Sequence, residues 1–218
     1  EERVTGVVFA ASSVVTPFFF GAVVGGIASG RVPTSGNGDA IGSWLNPTSI
    51  LGGALAVTVC AYLAAVFLTE DARLRGQPDL EQWGRRRALA AATVAGALSL
   101  VGLFVLRADA HRLYTHLLGV GLPFVIISGL AGLAAFVALR RAARRVVRLL
   151  AVVAVGAILL GWGAAQYPYL LGTHLSIGEA AAPRPTLAAL TVVAVAAAVL
   201  VVPSMALLYV LQQRARLE

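Results

Sequence analysis

Three histidines, one cysteine, ten carboxylates and seventeen arginines are the groups in this 218-residue chain whose types could do chemistry. His111 and His116 flank a short polar stretch, and His174 stands in a later loop. Two histidines that share a metal on a helix favour a spacing of four. The spacing of five seen here sets the two side chains about 140° apart at 3.6 residues per turn. No cysteine or carboxylate stands beside them at a ligand spacing, so all three read as polar residues at a membrane interface. Cys60 lies alone in an apolar run. It has no partner for an internal disulfide and reads as a small core residue. Nothing resembles a nucleophile with its base, a phosphate-binding loop, a dinucleotide fingerprint or a deaminase signature. The expectation is a chain with no catalytic, cofactor-binding or metal-ligating residue of its own.

The elements that carry these groups follow from composition. Hydrophobic residues make up 59% of the chain and charged residues 12%, about half the usual share for a soluble domain, and the mean hydropathy is +0.85. So few charges cannot cover a water-soluble globule, which leaves a polytopic membrane protein. A spanning helix needs about 20 mainly apolar residues. The stretches free of Asp, Glu, Arg and His, trimmed of turn residues, give spans near 4–28, 48–69, 86–106, 118–139, 147–166 and 186–210. In hydrocarbon each span must satisfy its own backbone hydrogen bonds, which selects helix. The predicted fold class is all-α, a transmembrane bundle of six helices forming a single domain over 1–218. The chain opens Glu1-Glu2-Arg3 with neither an initiator methionine nor a cleavable signal pattern, and so reads as a mature or truncated chain.

All seventeen basic residues are arginine, and the net charge is +7. Thirteen of them fall in one set of alternate connections and ends, from Arg3 through Arg85-Arg86-Arg87 to Arg216; only Arg31, Arg107, Arg112 and Arg184 fall in the other. The positive-inside rule then places both ends in the cytoplasm. The same asymmetry accounts for the basic excess, and no aromatic-interleaved basic face remains to bind nucleic acid. Every carboxylate lies in a loop or at a helix end. Proton and ion paths are usually marked by ionisable groups in the membrane core, so a self-sufficient transporter is disfavoured. Arg140, Arg144 and Arg148 recur every four residues with Arg141 and Arg145 beside them. On a continuing helix they would form a cationic stripe that anchors at the surface or holds an anionic lipid head group.

Pro17 and Pro203 fall inside spans and are expected to kink them. Gly21 with Gly25, and Gly26 with Gly30, offer two small faces for a close neighbouring helix, although glycine is abundant here at 23 residues. The loop from Tyr167 to Thr186 is the most distinctive polar segment. Tyr167-Pro168-Tyr169 suits an aromatic belt, the alternation from His174 to Pro183 suggests a short surface element, and Pro185 suits the first turn of the last helix.

At this loop the sequence resembles a known family. Tyr167-Pro168-Tyr169-Leu170, then Leu175-Ser176-Ile177, Ala180-Ala181-Ala182-Pro183 and Thr186-Leu187, are similar to the late outer loop of subunit II of the cytochrome bd quinol oxidases. Leu45-Asn46-Pro47-Thr48-Ser49 with Gly52 resembles that family's Asn-Pro entry into a span, and Pro203 and Tyr209 look similar in the last helix. The likeness runs over essentially all of this chain and about the C-terminal two-thirds of the family. Thr48 stands where an aromatic is common, Gly172-Thr173-His174 where a Pro-Ser-type stretch is usual, and the connection between the third and fourth spans is short.

The resemblance implies a heterodimeric respiratory complex of the bacterial plasma (inner) membrane that oxidises quinol and reduces dioxygen to water. It implies that haem b, haem d and the quinol site belong to subunit I. This chain would be the haem-free accessory subunit that stabilises that partner. Its other neighbours would be membrane lipids, with no nucleic acid. The alternatives from other classes are a small-molecule transporter or permease subunit and a non-enzymatic membrane scaffold.

Overall fold

The computed structural model describes residues 2–141, 146–172 and 175–214. They divide into two compact units, Glu1–Ser176 and Ile177–Glu218. The first holds helices α1 (Glu2–Ser29), α2 (Pro47–Leu74), α3 (Pro78–Asp109), α4 (His111–Leu118), α5 (Leu122–Arg140) and α6 (Val147–Gln166), then strands β1 (Tyr169–Leu171) and β2 (Leu175–Ser176). The second holds a single turn, α7 (Ile177–Ala180), and the long helix α8 (Arg184–Arg214), with Pro185 in its first turn.

Among the described residues six helices are long and apolar enough to cross a membrane. Their apolar stretches fall where hydropathy places the spans, but the helices outrun them. The third is expected from residue 86 and begins at Pro78, taking Arg85, Arg86 and Arg87 into helix. The fourth is expected from 118 and begins at Leu122, because a separate short helix, α4, precedes it. Hydropathy registers the part of a helix that lipid covers, whereas the backbone ladder continues into polar residues. Both α1 and α8 remain helical through Pro17 and Pro203.

Local chemistry sets the ends. Gly30, at φ +73°, terminates α1 in the left-handed conformation that glycine adopts without steric cost. Asn46 caps α2. Its backbone is extended, its side chain accepts from Ser49 N–H at 2.9 Å, its amide donates to Ser43 O at 3.1 Å, and Pro47 opens the first turn. Gly76, at φ +65°, closes α2, and Gln77 N–H returns to Ala72 O at 2.9 Å. Pro78 then starts α3, so α2 and α3 form a tight antiparallel pair. In the later loop a two-stranded antiparallel ribbon sets Tyr169 opposite Ser176 and Leu171 opposite Leu175, and only its second strand, with the turn α7, falls in the stretch from His174 to Pro183 where a surface element is expected.

Small residues make the core of the first unit. Tyr62, Ala65 and Val66 of α2 meet Ala88 of α3, Leu139 of α5 and Ala151 of α6. Alanine at these crossings lets helices approach closely where hydrocarbon supplies no hydrophobic drive to hold them together. Large apolar side chains point outward instead, with Phe9 73%, Phe20 71% and Phe104 74% exposed. That distribution suits a surface covered by lipid or another membrane helix. Cys60 corrects one expectation: it is exposed on α2 and takes no part in the core. A helix that is apolar all round carries no sequence signal for its inward face.

Candidate functional site

Polar side chains collect at the two ends of the first unit. At the arginine-poor end, α1, α2 and α3 converge on Asp109, the last residue of α3. Its carboxylate is 8% exposed and pairs with Arg31, just beyond α1. The other oxygen accepts from Thr48 Oγ1 at 2.6 Å and from Thr48 N–H at 3.2 Å. Thr48 sits in the first turn of α2, where backbone N–H groups lack intrahelical acceptors and carry partial positive charge. Asp109 therefore serves as a cap supplied from another helix. This contact is absent from a linear reading, because sixty-one residues separate its partners. The one clue is the threonine at position 48 where the resembled family often has an aromatic.

Beside it, Arg112 of α4 donates to Gly172 O at 3.0 Å and stacks 4.2 Å from the centre of the Tyr169 ring, tying α4 to the β-ribbon. Tyr169 thus serves as a packing platform for a cation, while Tyr167 is 67% exposed as a belt residue would be. His111 lies within 3.4 Å of Arg107 O through Nδ1 and 6.2 Å from the Tyr114 ring. His116 is in the last turn of α4. His174 lies outside the described residues. No group of three His, Cys, Asp or Glu side chains that could hold a metal occurs among the described residues.

In the preceding loop Asp39 folds back on its own backbone. Its carboxylate accepts from Ile41 N–H at 2.9 Å and from Gly42 N–H, and these bonds hold its pKa below the ordinary aspartate value. A depressed carboxylate stabilises its turn above the unfolded pKa, and that contribution is lost as pH falls through the folded value. Trp44 N–H donates to Ile41 O at 3.0 Å in the same turn. With Trp83 and Trp162 replaced by Phe, Trp44 fluorescence is expected to show an acid transition that Asp39→Asn abolishes. An unchanged transition in that variant would remove Asp39 from the turn's support.

At the arginine-rich end, Glu70 pairs with Arg73 within α2. Arg148 of α6 donates to Asp71 at 2.6 Å and to Phe67 O at 2.9 Å, and lies 4.9 Å from the Phe67 ring centre. The expected stripe does not form on one helix. Helix α5 ends at Arg140, whose guanidinium lies 5.4 Å from the Phe136 ring centre, and α6 begins at Val147. Arg148 therefore belongs to a different helix and is drawn to α2, while Arg144 and Arg145 lie outside the described residues.

Long apolar helices with charge confined to their ends, packed through alanine and glycine, define a multi-pass helical membrane protein. A family model described as "Cytochrome bd terminal oxidase subunit II" matches residues 1–212. The chain belongs to that family. A solved structure described as bd oxidase from Geobacillus thermodenitrificans contains a chain of the same fold, with a TM-score of 0.75 and 25% sequence identity. The match covers 91% of this chain and 61% of that one, so this chain spans less than two-thirds of its relative's length. No curated protein matches in sequence.

Proposed function

We propose that this chain is the haem-free accessory subunit of a quinol:dioxygen oxidoreductase in a bacterial plasma membrane, forming one transmembrane domain over 1–218 with both ends cytoplasmic. Its role is to bury an apolar helix face against a haem-bearing subunit and stabilise it; haem b, haem d and quinol are handled by that partner, and no residue of this chain touches the reacting atoms. The observation that carries this reading is the family match over residues 1–212. The outward-facing phenylalanines on α1 and α3 support it, because they offer aromatic surface to a neighbouring helix. Membrane lipids are the other partners, with Arg140 anchoring the end of α5 at the surface.

The test is a mild-detergent pull-down of the tagged full-length chain, followed by a reduced-minus-oxidised spectrum of the eluate. Bands of haem b and a chlorin-type haem d, with a second subunit on the gel, are the expected result. A colourless eluate without a partner, from cells that express a bd oxidase, would overturn the assignment in favour of a transporter subunit or scaffold.

A further inference from the structure

A cleft opens at the arginine-rich end of the first unit, between α2, α3, α5 and α6. Its charged lining among the described residues is Glu70, Arg73, Glu81, Arg85 and Arg148, all half-buried, beside Thr69 and Val147. Glu70 and Arg73 neutralise each other. Arg148 spends one nitrogen on Asp71 and Phe67 O, but its Nε is buried without a hydrogen-bond partner. Glu81 and Arg85 stand four apart on α3, in the order and at the spacing at which a glutamate and a basic residue pair across one helical turn. Yet neither appears in any ion pair or side-chain hydrogen bond of the described residues. Among the described residues Glu81 and Arg85 are thus left without a partner around one opening, and Arg148, its charge met by Asp71, keeps one N–H unspent. The start of α6 adds to the cationic side. Val146 provides no side-chain cap, no acid stands in the first turn, and Arg148 occupies that turn.

We propose that this cleft binds the head group of a zwitterionic phospholipid bearing a primary amine, of the phosphoethanolamine type. The phosphodiester is held by Arg85, Arg148 and the first turn of α6, and the ammonium by Glu81. Burying unmatched charges of both signs is costly unless each meets its complement. A single anion would leave Glu81 unanswered and close to a like charge, and a single cation would leave Arg85 and the Arg148 Nε–H unanswered. A ligand carrying both charges a few bonds apart meets all three. The setting favours a lipid. The cleft lies where the apolar surface of α2 gives way to charge. Exposed Phe67 and Leu68 on α2 and Leu149 on α6 stand beside the lining residues and suit acyl chains, and Trp83, 4.0 Å beneath Arg87, suits the interfacial level. The inference rests on the membrane-subunit reading, and it replaces an anionic lipid on an arginine stripe with a zwitterionic one in a cleft.

The test uses the full-length chain purified with whatever partner it retains, washed in detergent, then analysed by native mass spectrometry and lipid extraction. Phosphatidylethanolamine is expected to remain bound in preference to phosphatidylglycerol. Glu81→Gln should weaken retention of the ethanolamine lipid roughly tenfold while sparing phosphatidylglycerol, and Arg85→Gln should weaken both, each having lost a charge-assisted contact. Arg87→Gln, on the same helix but outside the cleft, should change neither, and size-exclusion profiles report whether each variant folds. Equal retention of the two lipids, no effect of Glu81→Gln, or displacement of the lipid by millimolar inorganic phosphate would overturn the proposal. The haem spectrum of the same sample separates the two readings. Haem with a partner but no lipid selectivity sinks the cleft alone, and selective lipid without haem or partner sinks the oxidase role alone.

Discussion

Gly25→Leu, and to nearly the same degree Gly21→Leu, is expected to separate α1 from α2 and to cost about 3 kcal/mol or more, the upper end of what overpacking costs. At these two positions α1 lies against the backbone of α2. A Cβ on Gly21 would stand 2.6 Å from the Gly52 carbonyl carbon and 2.7 Å from Ala56 Cβ, and one on Gly25 would stand 2.7 Å from Ser49 Cα. The α2 side is equally closed, since a Cβ on Gly53 would meet the Phe18 ring at 2.7 Å. These neighbours are mainly backbone, so no side-chain rotation relieves the clash and the helices themselves must part. Even Gly25→Ala should destabilise. Gly96→Ala, with nothing within 4 Å of the added methyl, should be neutral or gain roughly 0.5–1 kcal/mol from helix propensity. Thermal unfolding of the purified protein in detergent, followed by circular dichroism, gives the comparison. Should Gly25→Leu melt with the unsubstituted chain while Gly96→Ala is damaged, the close approach is not what holds α1.

The first of the two glycine pairs is thus a packing face against the α2 backbone, whereas the second contributes only Gly26, which meets side chains, Trp44 and Ser49. Gly26 lies under the Trp44 ring, and Gly30 ends the helix. Both pairs carry the same spacing, so spacing could not separate them; what separates them is how far each lies from the helix end. The spans were legible because hydrocarbon admits one solution for a long apolar run, and the Asn46-Pro47 helix start was legible because caps are local. The inward face of α2 was not, since Cys60 and Tyr62 are both apolar and only packing distinguishes the exposed one from the buried one. The arginine stripe failed for a related reason. A spacing of four implies one face only while the helix continues, and nothing in the residues from Arg140 to Arg148 announces the break that hands Arg148 to Asp71. Long-range polar pairs were the least legible of all. Glu81 and Arg85 look like an ordinary helical pair, and Asp109 looks like an ordinary helix-end acid.

Asp109→Ala is the second substitution with a large expected effect, about 2–4 kcal/mol, and its size depends on which of its contacts carries the stability. Three groups point at the carboxylate, and they differ in their access to water. The Arg31 side chain is 47% exposed, so after loss of the acid it turns to solvent and forfeits about 0–1 kcal/mol, as exposed ion pairs do. Thr48 is 3% exposed, and both its hydroxyl and its N–H would lose their acceptor in a place that water reaches poorly. An unsatisfied buried donor costs about 1–3 kcal/mol, and removing the anion from the start of α2 adds roughly 0.3–1 kcal/mol. Asp109→Ala should therefore be the most damaging change, with Asp109→Asn and Thr48→Val at about half its cost and Arg31→Ala the mildest. A double-mutant cycle should place about 1–2 kcal/mol of coupling between Asp109 and Thr48 and little between Asp109 and Arg31. Faster amide exchange confined to the first turn of α2 would show where the support was lost. If Arg31→Ala proves as costly as Asp109→Ala, the ion pair holds this end of the bundle and the cap reading is wrong. If the order holds, α3 terminates where its last side chain can close the first turn of α2, which ties the ends of α2 and α3 together across the full length of their pairing.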